Sequence, residues 1–176
     1  MRVEKTKLQD CLIIKPRIYL DNRGFFYESF NKNVHAKNNL ITNYKQDNFS
    51  RSKKNVLRGL HFQKKKPQAK LFYVSYGKVV DVVVDLRKKS TTYLKHQKIF
   101  LSSKNKKQIY IPPGFAHGFL VLSEYAMCHY KCTKYFDPKD DQSIIWNDSI
   151  INIKWGVEKP ILSKKDSNGI KFKDVF

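Results

Sequence analysis

Val56-Leu57-Arg58-Gly59-Leu60-His61-Phe62-Gln63 sets an imidazole in the middle of an apolar, strand-like run, with an arginine three residues before it and Lys70 further along. Histidine is the side chain whose unperturbed pKa lies nearest neutrality, so one held among apolar neighbours beside fixed cations can serve as a general base. A second polar cluster on apolar strands follows at Ile111-Pro-Pro-Gly-Phe-Ala-His117-Gly-Phe-Leu, and a third at Tyr130. Together they predict a proton-transfer site inside a β-barrel. Strict alternation points Leu57, Gly59, His61 and Gln63 to one face and Arg58 to the other. Arg58 and His61 share a pocket only if the strand is irregular, and Gly59 between them is where a bulge is expected.

Working outward from that stretch, helical periodicity is nearly absent; one short helix is expected over residues 31–38. Elsewhere short β-branched and aromatic runs alternate with turn signals, at residues 12–18, 24–30, 56–63, 70–76, 78–86, 96–101, 108–111, 118–122 and 127–135. Many short strands at regular spacing read as an antiparallel sandwich or barrel. Tyr76-Gly77-Lys78 reads as a hairpin turn, and Pro112-Pro113-Gly114 ends a strand in a tight loop, since proline cannot donate to a ladder. After Asp137-Pro138 the pattern loosens, and the tail from Trp146 reads as loop with apolar anchors that wraps the same barrel. Neither a repeat nor a linker interrupts residues 1–176, so a single domain is expected.

Composition narrows the function classes. Of the 176 residues 41% are hydrophobic and 14% aromatic, which is too rich for disorder. No apolar run is long enough for a membrane span, and the first residues lack the apolar core of a signal peptide, so a cytoplasmic location is expected. Cys11, Cys128 and Cys132 have no framework spacing and read as reduced thiols. Cys128, His129 and Cys132 do not read as a zinc site, because strand residues four apart lie roughly 13 Å from each other at about 3.3 Å per residue. The formal charge of +20 comes from 35 Lys and Arg against 15 Asp and Glu. Lysine dominates and is scattered in pairs and triplets, whereas a nucleic-acid surface concentrates its cations and interleaves aromatics. A solvated surface is therefore the preferred reading over nucleic-acid binding, and the positive field would still draw in a small anion.

Further blocks carry a resemblance. They are Asp21-Asn-Arg-Gly-Phe-Phe-Tyr-Glu28, Gln46-Asp-Asn-Phe-Ser-Arg, the stretch quoted above, Lys70-Leu, residues 79–87 and 111–122, Tyr130-Lys, Trp146-Asn-Asp and Ile161-Leu-Ser-Lys-Lys-Asp166. In their order and spacing the chain resembles the dTDP-4-dehydrorhamnose 3,5-epimerases, cupin-fold enzymes of deoxysugar biosynthesis, along nearly its whole length. The resemblance implies an all-β, cupin-type jelly-roll barrel or sandwich with a few short helices. It implies inversion at C3 and C5 of dTDP-4-dehydro-6-deoxyglucose to give dTDP-4-dehydrorhamnose. A ketone at C4 acidifies the hydrogens on C3 and C5, so inversion needs a base on one side of the ring, an acid on the other and a cation for the enolate oxygen.

By resemblance His61 is the base, Asp166 the carboxylate that orients it, Tyr130 the opposing acid and Lys70 the enolate stabiliser. Arg58 is implied as a ligand of the substrate diphosphate, for which its planar fork is suited. Arg23, Phe25, Glu28, Gln46 and Asn48 resemble residues that close over the nucleotide, partly from a neighbouring subunit, which implies a homodimer. Tyr135 resembles the aromatic that stacks on the base, and Lys165 a residue that reaches the sugar. His117 matches a site-lining position, with buttressing of its loop as the structural alternative. Asp81 and Asp85 share a parity on one apolar strand and contact substrate or serve as structural hydrogen-bonding groups. His35, His96 and His129 are expected at the surface or in packing. The cupin metal pair His-x-His is missing, because Gly59 and Gln63 flank His61; no metal and no organic cofactor are expected. The competing readings are an epimerase acting at one carbon or on another nucleotide-linked 4-ketosugar and, from a different class, a non-catalytic basic cupin that binds nucleic acid.

Overall fold

The computed structural model describes residues 1–175. Thirteen strands, two short α-helices and a 3-10 turn at Phe172–Asp174 make it up. In chain order they are β1 (Arg2–Lys5), β2 (Leu12–Lys15), β3 (Tyr19–Asp21), β4 (Gly24–Phe26), α1 (Lys32–Ala36), β5 (Gln46–Lys53), β6 (Leu57–Gln63), β7 (Lys70–Tyr76), β8 (Lys78–Asp85), β9 (His96–Ser102), β10 (Gln108–Ile111), β11 (Phe115–Val121), β12 (Tyr125–Cys132), β13 (Asp141–Ser143) and α2 (Lys164–Ser167). A six-stranded sheet in the order β1-β2-β10-β7-β12-β5 faces a five-stranded sheet in the order β13-β6-β11-β8-β9, and β3 and β4 form a separate two-stranded ribbon. This is the all-β sandwich the resemblance implies.

The two sheets meet through Phe72, Val74 and Ile109 on one side and Val79, Val83, Leu101, Phe115, Phe119 and Val121 on the other. The opposite face of the five-stranded sheet is covered as well: Val80, Val82, Val84 and Leu120 pack against Ile151, Ile153 and Trp155 of the tail. A strand apolar on both faces follows, and in β8 every residue after Lys78 is buried. The tail therefore does wrap the barrel, and its anchors are these residues.

Most strands read from the sequence form, with ends set by local chemistry. β2 stops at Lys15 before Pro16, and α1 starts where the Asn31 side chain accepts from the N–H groups of Asn33 and Val34 at 3.1 and 3.2 Å, a helix N-cap. Several expectations change: β1, β3 and β13 were not expected, the strand expected over 24–30 ends at Phe26, and two further differences bear on the site. Gly77 does not close a hairpin: β7 pairs with β10 and β12, whereas β8 pairs with β9 and β11, so the turn carries the chain from one sheet to the other. Glycine is required because φ is +79° and a Cβ would stand 2.3 Å from the Tyr125 carbonyl oxygen. The same glycine signal serves a hairpin and a sheet-to-sheet corner. β5 was not expected, because Gln-Asp-Asn-Phe-Ser-Arg-Ser-Lys offers no apolar face; it forms as an edge strand paired with β12 from Gln46↔Cys132 to Lys53↔Tyr125.

The irregularity expected in β6 is present. His117 pairs with His61 and Phe119 with Arg58, so three steps along β6 oppose two along β11. Gly59 occupies the bulge at φ +117°, and a Cβ there would lie 2.6 Å from both Gly118 Cα and the His117 carbonyl oxygen. The extra residue reverses the alternation. Leu57, Leu60 and Phe62 fall together on the tail-covered face, which leaves Arg58 and His61 on the other.

Candidate active site

Between the sheets lie two adjoining cavities of about 290 and 110 Å³ that share His61, Lys70 and Tyr130 in their linings. The outer one adds Gln46, Asn48, Gln68, Cys132, Phe136 and Asp141. The inner one adds Ser50, Arg58, Phe72, His117, Gly118 and Phe119. His61, Arg58 and His117 come from the five-stranded sheet; Lys70 and Tyr130 come from the six-stranded one. The bulge at Gly59 is what lets Arg58 and His61 line one cavity. A larger hollow of about 760 Å³ lies along residues 5–12, with Asn38, Thr92 and Tyr110. Its lining includes none of the residues expected from the sequence to move protons.

His61 Nε2 stands 2.5 Å from Asp166 Oδ1, across 105 residues of chain. Asp166 is buried and also accepts from the hydroxyls of Ser163 at 2.8 Å and Ser143 at 3.2 Å. Burial pushes its carboxyl up, but the hydrogen bond and charge of His61 together with the two serines outweigh that and hold it below the usual carboxylate range. The carboxylate is thus ionised and keeps the proton on His61 Nε2, which turns the other ring nitrogen into the acceptor. Ser163 caps α2 through the Asp166 N–H at 3.1 Å, and Lys165 donates to the Asp141 carboxylate beside the cleft. The short helix is pinned on both sides of the residue that orients His61.

On the facing sheet, burial pushes the Tyr130 phenol up, so it is protonated at neutral pH and can donate. Lys70 is pulled down by burial, against the attraction of Cys132, Asp141 and Asp81. Tyr130 and His117 both pack against the Phe72 ring, at 6.1 and 4.9 Å between centroids. Arg58 Nε donates to Ser52 Oγ at 2.9 Å. His117 Nε2 lies 2.6 Å from Asp81 Oδ2, a second histidine–carboxylate pair in direct cross-strand register with the first. The cleft therefore sets an imidazole on one sheet, bonded to a carboxylate from α2, against a phenol and an ammonium on the other sheet.

Other sequence-derived residues sort by position. Gln46 and Asn48 line the outer cavity, and Gln46 Oε1 accepts from the Phe136 N–H at 2.7 Å. Gln68 donates to the carbonyls of Lys134 and Tyr135 at 3.0 and 3.1 Å, so glutamines fix the loop after β12. Of that loop's aromatics, Phe136 lines the cavity, while Tyr135 is 69% exposed. Phe136, Gln68, Cys132 and Asp141 were missed from the sequence; Phe136 was legible only as the neighbour of Tyr135. Arg23, Phe25 and Glu28 do not reach the cleft of their own chain. Arg23 pairs with Asp21 at 2.6 Å, Glu28 accepts from Asn31 at 2.8 Å, and the Lys106 ammonium lies 4.1 Å from the centre of the Phe25 ring. Asp85 is structural, bonded by Arg87, Ser90 and Thr92. His35 is buried on the Asn31 carbonyl, and His129 stacks on Tyr73. Among the described residues no three His, Cys, Asp or Glu side chains converge as a metal-ligand set, and no helix is long and apolar enough to cross a membrane.

Comparison with known proteins adds the chemistry of relatives to this geometry. Residues 5–174 match the sequence profile described as dTDP-4-dehydrorhamnose 3,5-epimerase. An epimerase of that name from Salmonella typhimurium is 48% identical over 172 residues, covering 95% of this chain and 93% of that protein. One from Methanothermobacter thermautotrophicus is 46% identical over 170 residues, covering 95% and 92%. Among solved structures, a dTDP-6-deoxy-D-glucose-3,5-epimerase from Legionella pneumophila in complex with dTDP-4-keto-L-rhamnose superposes with a TM-score of 0.95 at 44% identity, covering 99% of this chain and 94% of that one.

Proposed function

Since the chain belongs to the dTDP-4-dehydrorhamnose 3,5-epimerase family, we propose that it inverts C3 and C5 of dTDP-4-dehydro-6-deoxyglucose by removing a proton beside the 4-ketone and returning one to the opposite face. The observation that carries this reading is the His61–Asp166 pair at 2.5 Å facing Tyr130 and Lys70 across one cleft. His61, its Nε2–H held by Asp166, takes the proton from C5 and from C3 in turn. The electrons move into the ketone, and Lys70 stabilises the enolate oxygen. Tyr130, on the other sheet, returns a proton to the far face of the ring; before the second carbon is processed the imidazolium releases its proton to solvent and the Tyr130 phenolate takes one up. The substrate's own ketone is the electron sink, so the reaction as written needs neither metal nor organic cofactor.

Arg58 at the inner cavity suits the diphosphate. Phe136 at the mouth, with Tyr135 beside it, suits stacking on the base, and Gln46 and Asn48 suit its polar edge. Lys165, held on Asp141 beside the cleft, suits the sugar end. Arg23, Phe25 and Glu28 come from the second copy of a homodimer. The support is the β3–β4 ribbon, which leaves Leu20 80% and Phe26 65% exposed, an apolar edge that calls for a partner. We propose a cytoplasmic enzyme, in keeping with three free, buried cysteines. The experiment is an assay of the purified protein on a panel of nucleotide-linked 4-ketosugars. Turnover of the dTDP-linked 6-deoxy substrate to the 3,5-inverted product is the expected result, and inactivity on it with turnover of another panel member removes the reading.

A further inference from the structure

Asp81 and Asp85 lie on one strand with the same parity, both fully buried, yet they are treated differently by their surroundings. Both Asp85 oxygens are bonded, by the Arg87 guanidinium, its N–H, Ser90 and Thr92. Asp81 has one bonded oxygen, 2.6 Å from His117 Nε2, while its Oδ1 has no hydrogen-bond partner. A buried acceptor left unpaired costs on the order of 1–3 kcal/mol, and a purely structural carboxylate on this strand has Asp85 as its pattern. The half-satisfied one sits directly behind the cleft, and His117, the group it holds, lines the inner cavity with Lys70, His61, Arg58 and Tyr130.

We propose that Asp81 is a positioning residue for the enolate end of the cleft, which fixes His117 with its hydrogen on Nε2 and keeps a buried negative charge behind Lys70. The inference rests on the epimerase reading above for what the cleft does, but its geometry is independent of substrate. With Nε2–H donated to Asp81, His117 Nδ1 is left as an acceptor towards the cavity. Burial pulls His117 towards its neutral form against the pull of Asp81, which keeps that acceptor available at neutral pH.

Lys70 must be charged to hold an enolate. The groups that line the cleft with it are His61 from β6, His117 from β11, Tyr130 and Cys132 from β12 and Asp141 from β13, with Arg58 at the inner end; Asp81 from β8 stands one hydrogen bond behind, on His117, and Lys165 from α2 stands on Asp141. Of these only Asp81 and Asp141 are carboxylates. Asp141 is already engaged by Lys165, so Asp81 is the anion not taken up by another cation.

The test is Asp81→Asn, near-isosteric and neutral, compared with the unmutated enzyme on dTDP-4-dehydro-6-deoxyglucose over pH 6 to 10. Losing the charge should bring the basic limb of the kcat profile to lower pH by about one unit or more, with KM within about twofold because the nucleotide contacts are untouched. A basic limb that stays in place, with rates that follow only the folded fraction, overturns the proposal. Should the variant not fold, nitrogen-15 spectra of His117 in the unmutated protein decide: hydrogen on Nε2 supports it, and hydrogen on Nδ1 sinks it. An unmutated protein with no epimerase activity refutes the earlier reading instead, and the tautomer measurement, which needs no substrate, still judges this one.

Discussion

Replacing Gly59 with alanine tests how the fold makes the site. At φ +117° an L side chain is strained, worth about 1–3 kcal/mol. The new Cβ would also stand 2.6 Å from the backbone of Gly118 and from the His117 carbonyl. Neither is the far end of a flexible side chain, so the strands must part, which adds about 1–3 kcal/mol by the usual cost of overpacking. The sum, about 2–6 kcal/mol, is a large share of the 5–15 kcal/mol typical of a folded domain. In urea, with a slope of about 2–3 kcal/mol per molar, the midpoint should fall by about 0.7–3 M. Activity should fall further than stability does, because a strand that sheds its bulge slips by one residue and turns either Arg58 or His61 out of the cleft. Urea melts and turnover at a temperature where the variant is fully folded separate the two effects. A variant with an unmoved midpoint and full activity would refute the link between bulge and site.

Asp166→Asn should cost on the order of a hundredfold or more in kcat with little change in KM, since the imidazole loses the partner that fixes its tautomer; steady-state kinetics on the intact fold checks it. Because the folded Asp166 carboxyl lies below its ordinary value, its ionisation stabilises the fold above the unfolded pKa of about 3.9 and that contribution is lost as pH falls through the folded value. Acid melts of the unmutated protein should steepen below about pH 4, and Asp166→Asn should lack that component. Tyr130→Phe should leave solvent exchange at the sugar intact while inversion drops by about a hundredfold, because the base remains and the acid is gone; deuterium labelling reads both. Light scattering should give about twice the 20.8 kDa chain mass, and a fully active monomer would contradict the shared site.

Local pattern carries the strands whose apolar residues alternate or run continuously, and it carries His61, a polar group where a strand should bury an aliphatic one. It even carried the bulge, through the conflict between alternation and a shared pocket for Arg58 and His61. β5 was opaque because an edge strand lining a polar cleft has no apolar face to show. The Gly77 corner was misread because its turn chemistry is that of a hairpin and only the partner strands differ. Asp166 lies 105 residues from His61, beyond any periodicity, so it was reachable only through the resemblance. Phe136 rather than Tyr135 lines the cleft because the strand has ended by then, and parity no longer says which of two adjacent aromatics turns in.

Nuclear magnetic resonance of dTDP-4-dehydro-6-deoxyglucose in deuterated buffer reads the hydrogens on C3 and C5 separately. With the unmutated protein both should exchange and both centres invert. With His61→Asn, folded as judged by its melting curve, both exchanges should stop together. Exchange at one carbon only would make this a single-carbon epimerase, and undiminished exchange in the His61 variant would remove His61 from the mechanism.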